Sequence, residues 1–142
     1  MGRITERVTV KNYGDILKYR EKSAPESGAR AVEIEAIVDT GAAYLCLPPE
    51  SISRLGLVHS GTKGVITANG KITCRIFSMA SITIQGREIR MDVMENQPGT
   101  PPLIGYLVLE TMDLVVDPGS QTVTGNPEHD YKWVMDMYCK AG

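Results

Sequence analysis

From Val32 to Val38 the chain runs as a strand would, and the run stops at Asp39-Thr40-Gly41-Ala42. Val32, Ile34, Ala36 and Val38 share one face, while Glu33, Glu35 and Ile37 share the other, the period of two that marks a strand. Thr-Gly then forces a sharp turn. A strand that ends this way holds one carboxylate, Asp39, at the tip of a rigid element. The small residues beside it, Gly41 and Ala42, let backbone approach backbone. The plainer reading is an ordinary turn in which the aspartate bonds its own backbone, which Asp does well. The order of the remaining elements decides between the two.

Thr5–Val10 alternates loosely and reads as a first strand. Residues 12–22 are polar with scattered apolar positions, and residues 22–28 form a loop by composition. Tyr44–Leu47 reads as a short strand ending at Pro48-Pro49, and Glu50–Leu55 as a short helix closed by Gly56. Asn69-Gly70, between Val65–Ala68 and Lys71–Ile76, predicts a hairpin whose type I′ turn puts both residues at positive φ. A second hairpin joins Ala80–Gln85 to Glu88–Met94 through Gly86. After the Pro- and Gly-rich loop at 95–102, Leu103-Ile104-Gly105 leads into Tyr106–Met112, a helix-compatible stretch. Leu114–Val116 and Gln121–Thr124 then close the order as a third hairpin.

Many short strands, frequent turns and one or two short helices describe a mainly β chain, a small closed β barrel. The 142 residues suffice for one such domain. It is expected over residues 1–126, followed by a tail at 127–142. In the tail Tyr131, Val134, Met135 and Tyr138 fall on one stripe of a helix, expected to pack on the chain's own barrel rather than to dimerise it.

A net charge of −2 and a pI near 5.7 argue against a nucleic-acid partner. The chain has no apolar stretch long enough to span a membrane, and its first residues lack the apolar core of a signal peptide. Cys46, Cys74 and Cys139 are widely spaced with no Cys-x-x-Cys pair, so reduced thiols and a cytoplasmic location are expected. His59 and His129, the two histidines, have no neighbours at ligand spacing, so no metal site is expected.

The sequence resembles the retroviral-type (retropepsin-like) aspartic proteases, and the small single-lobe prokaryotic members in particular. The residues that carry the resemblance are Glu35–Ala42, the hairpin tip Ala68-Asn69-Gly70, and Pro102–Pro118; together they span about residues 30–126. The resemblance implies that Asp39 is the catalytic carboxylate and that Thr40 bonds across a two-fold axis. It implies that Gly41, with Ala42 after it, leaves room near the substrate, and that Ala68, Asn69 and Gly70 close over it as a flap. Leu103, Ile104 and Gly105 would hold the Asp39 loop from behind. Residues 61–64 and the tail beyond Asn126 match nothing in the family pattern.

Aspartic-protease chemistry needs two carboxylates that share a proton, and this chain has one Asp-Thr-Gly and no Asp-Ser-Gly. Asp117-Pro118-Gly119 puts proline where the hydroxyl should be. The partner carboxylate must come from a second copy, so the expectation is a homodimeric aspartic endopeptidase acting on a peptide or protein substrate, without metal or cofactor. Two other readings compete with it: an idle barrel of the same fold used for binding or scaffolding, and a reactive thiol at Cys46. The apolar neighbours Leu45 and Leu47 argue for a buried, inert Cys46.

Overall fold

The computed structural model describes residues 3–135 and residue 137. Strands β1 (Thr5–Asn12) and β2 (Ala31–Val38) pair antiparallel from Thr5↔Ile37 to Lys11↔Ala31. In β1 the apolar positions Val8 and Val10 are wholly buried. In β2 Val32 and Ala36 are buried while Glu33 and Glu35 are exposed, so the alternation fixes which face meets the core.

Between these strands lies helix α1 (Tyr13–Glu21), in the segment read as merely polar. Its cap is Asn12, whose Oδ1 accepts from the Asp15 amide at 3.0 Å. The same side chain donates from Nδ2 to the Leu55 carbonyl at 2.8 Å, tying the helix start to a second helix. Asp15 then holds the Arg30 guanidinium through two hydrogen bonds of 2.8 and 3.0 Å. Ile16 is the one residue of α1 that is buried, so the helix offers almost no apolar stripe. The described residues thus hold three α-helices instead of one or two.

The rest follows the expected order. Strand β3 (Leu45–Leu47) leads through Pro48 into α2 (Pro49–Leu55), which Gly56 closes. A long hairpin of β4 (Val58–Thr67) and β5 (Gly70–Ile84) is followed by β6 (Arg87–Glu95), the two-residue β7 (Leu103–Ile104) and α3 (Tyr106–Thr111). Among the described residues β8 (Leu114–Asp117) and β9 (Thr122–Gly125) pair only with each other.

The main sheet is mainly antiparallel and runs β1-β2-β7-β3-β6-β5-β4. β1 also pairs with the far half of β5, from Thr9↔Thr83 to Asn12↔Ala80. That second pairing closes six strands into a ring and leaves β4 as an outer strand. The ring encloses Val8, Val10, Leu45, Leu47, Ile82 and Val93, and α2 and α3 add Leu55 and Val108. Each such side chain contributes about 1.5–3 kcal/mol relative to exposure. Among the described residues no helix is long and apolar enough to cross a membrane.

Two expectations shift. The β4–β5 turn falls one residue early: Thr67 pairs with Gly70, and Ala68-Asn69 form the tip. Gly70 takes a φ of 113° while Asn69 keeps a negative one, so the turn is not the expected I′. The Thr67 hydroxyl accounts for this, accepting from the Asn69 amide at 3.2 Å and donating to the Gly70 carbonyl at 2.7 Å. In the tail, a 3₁₀ turn at Pro127–His129 is followed by Asp130 and Tyr131, both at positive φ, and no helix continues to Met135. The Arg87 guanidinium on the Tyr131 carbonyl (2.8 Å) and His129 Nδ1 against Asp113 Oδ2 (2.6 Å) hold this segment irregular. Tyr138 and Cys139 lie outside the described residues.

Candidate active site

Asp39 is positioned by the strand in front of it and by a crossing strand beside it. β7 lies between β2 and β3, parallel to β2 (Val38↔Ile104) and antiparallel to β3 (Leu45↔Ile104). The Asp39 amide continues the ladder onto the Ile104 carbonyl at 2.9 Å. The chain then turns. Asp39 Oδ1 accepts from the Gly41 amide at 2.9 Å, and its carbonyl accepts from the Ala42 amide at 3.0 Å. Oδ2 has no hydrogen-bond partner among the described residues. The side chain is half-buried, and Thr40 and Gly41 are exposed.

The start of α3 completes the loop. A helix leaves its first amides without intrahelical acceptors. Here Gly105, Tyr106 and Leu107 donate theirs to the carbonyls of Tyr44, Ala42 and Ala43 at 2.9, 2.8 and 3.0 Å. Each such bond is worth about 0.5–1.5 kcal/mol net, and together they fix the loop as one unit with the helix. Gly105 permits the approach: a Cβ there would lie 2.3 Å from the Ala43 carbonyl carbon. Ile104 and Gly105 are buried behind the loop.

In front of it opens a cleft of about 680 Å³. Of the residues singled out in the sequence, Asp39, Gly41, Ala42, Asn69 and Leu103 line it together. Thr40, Ala68, Gly70, Ile104 and Gly105 do not. The β4–β5 hairpin forms the opposite wall, with Val65 and Ile72 paired across the ladder and Asn69 at its tip.

Several lining residues escaped the sequence reading. Tyr44 and Cys46 stand two residues apart in the stretch read as a strand, so that signal already put the two on one face. Tyr106 opens α3 beside them, and Lys63 comes from the segment that matched no pattern. Cys46 is buried as expected: it is 5% exposed, and burial, with smaller contributions from Cys74 and Asp39, pushes its thiol up to about 12. Among the described residues Asp39 is the one carboxylate that lines the cleft. Among the described residues no three His, Cys, Asp or Glu side chains gather as a metal site.

Comparison with known families gives a match over residues 29–111, more than half of the chain, to the family described as "gag-polyprotein putative aspartyl protease". The matched stretch begins just before β2 and ends on the last residue of α3, so it contains the Asp39 turn, the hairpin and the strand that crosses behind. No curated protein matches the chain.

Proposed function

The chain belongs to the gag-polyprotein type of aspartyl protease family, and on that premise we propose that it is an aspartic endopeptidase active as a homodimer. The observation that carries this reading is a lone carboxylate, braced from behind by Ile104 and Gly105, at the wall of a peptide-sized cleft. One such carboxylate cannot do the chemistry. In an isologous dimer the exposed Thr40-Gly41 loops of two copies meet on the axis and bring two Asp39 side chains together.

Two carboxylates about 3 Å apart cannot both ionise cheaply, so the pair holds a single proton and titrates as a unit. The ionised member accepts a proton from a water lodged between them, and that water attacks the scissile carbonyl. The protonated member donates to the carbonyl oxygen as it becomes tetrahedral. The proton taken from water is then delivered to the leaving nitrogen. No covalent intermediate forms. In each copy the Gly41 amide on Oδ1 keeps one carboxylate oxygen fixed while Oδ2 stays available.

The hairpin tip Ala68-Asn69-Gly70 closes over the bound peptide, and the ring of six strands serves as the small barrel that keeps both walls in place. The substrate lies extended, pairing its backbone with the cleft walls.

The test is hydrolysis of a diverse peptide library, read by mass spectrometry from pH 4 to pH 7, by wild type and by Asp39→Asn. Cleavage by wild type alone, falling as the shared proton is lost at higher pH, is the expected result. Equal cleavage by both proteins would place the chemistry elsewhere.

A further inference from the structure

Resting on the peptidase reading above, we propose that Lys63 makes this cleft selective for peptides carrying an acidic side chain two residues from a large apolar one. Among the described residues Asp39 and Lys63 are the only charged residues that line the cleft. The remaining lining is neutral, so a single ammonium sets the sign of the wall facing Asp39.

That ammonium is also unmatched. Arg7, Arg20, Arg30 and Arg75 each carry a carboxylate partner, Glu33, Glu26, Asp15 and Glu95 respectively. Lys63 has no ion pair or side-chain hydrogen bond among the described residues. The other described lysines also lack ion pairs, but Lys63 is the one that lines the cleft, where its exposed ammonium can meet an anion supplied by the ligand.

The ladder gives the spacing. Val65 pairs with Ile72, and Lys63 pairs with Cys74, one period further from the hairpin tip. All four line the cleft. The step between the two pairs is about 7 Å, the distance between alternate side chains of an extended peptide. A bound strand that puts an apolar side chain between Val65 and Ile72 therefore brings the side chain two positions away beside Lys63. Asp or Glu there meets the ammonium; Lys or Arg is repelled. Because this contact is solvent-exposed, it should discriminate modestly and weaken in salt.

The experiment uses octapeptides that differ only in Asp versus Asn, or Glu versus Gln, two residues from Leu or Phe. Cleavage is followed with wild type, and binding is followed by fluorescence anisotropy with Asp39→Asn, which separates recognition from chemistry. We expect both readouts to favour the acidic peptide by about three- to five-fold at low salt. Lys63→Met should abolish that preference and Lys63→Glu should reverse it toward the amide peptides. Lys71→Met should keep it, since Lys71 sits opposite Ile66 on the same hairpin and does not line the cleft. Acidic and amide peptides treated alike by wild type, or the same preference surviving in Lys63→Met, would overturn the proposal. Acid-selective binding without any cleavage by wild type would uphold the selectivity and refute the peptidase reading. Cleavage without acid selectivity would do the reverse.

Discussion

Gly105 lies against the carbonyl of Ala43, so close that a Cβ on residue 105 would stand 2.4 Å from that oxygen. This contact joins the helix start to the loop that holds Asp39. Backbone cannot yield there as a flexible side chain would, because both sides are tied by the three hydrogen bonds from residues 105–107.

Gly105→Ala should therefore cost about 2–3 kcal/mol and displace the Asp39 loop, with peptide hydrolysis lost even where the protein remains folded. Gly61→Ala is the control, since nothing lies within 4 Å of a Cβ at that position. Urea unfolding of both variants measures the contrast.

Asn12 is 8% exposed and uses both ends of its amide, capping α1 and holding the Leu55 carbonyl. Asn12→Ala should destabilise the fold by about 2 kcal/mol. Asn12→Asp should do no better. It keeps the capping oxygen but removes the donor, and it sets a carboxylate against the Leu55 carbonyl. Thermal unfolding of the two variants decides.

The hydrogen bonds from Arg30 hold the Asp15 carboxyl down from 3.8 to about 2. A group lowered on folding stabilises above its unfolded value and loses that contribution as pH falls through its folded value. Asp15→Asn should thus be less stable than wild type by about 1 kcal/mol near pH 6, and the gap should close between about pH 4 and pH 2. Urea midpoints across that range test the sign; a gap that widens on acidification would reverse it.

If the dyad proposed above draws on two chains, activity depends on association. Specific activity should fall on dilution once the protein drops below its dimer dissociation constant, and recover on concentration. Initial rates over a wide dilution series, with sedimentation of the same samples, give the comparison.

What the sequence made legible was what local backbone chemistry encodes. The Asp39 turn and the proline-led α2 each carry their own signal within a few residues, whereas the crossing of Leu103-Ile104-Gly105 behind the loop was implied only by the family resemblance. α1 was hidden because its support is not local: Arg30 lies 15 residues from Asp15, and Leu55 lies 43 residues from Asn12. The hairpin tip moved because a hydroxyl at Thr67 outweighed the usual preference of Asn-Gly. Lys63 could not be assigned to the cleft before the long β4–β5 hairpin was seen to form its opposite wall.

The most direct test of the shared carboxylate pair is to mix the two proteins. Asp39→Asn is added in increasing excess to a fixed amount of wild type, subunits are allowed to exchange, and peptide hydrolysis is measured. If each site needs Asp39 from two chains, activity falls as mixed dimers replace wild-type ones, following the fraction of wild-type pairs. If activity stays constant while mass spectrometry shows that mixed dimers have formed, one chain suffices and the account is wrong.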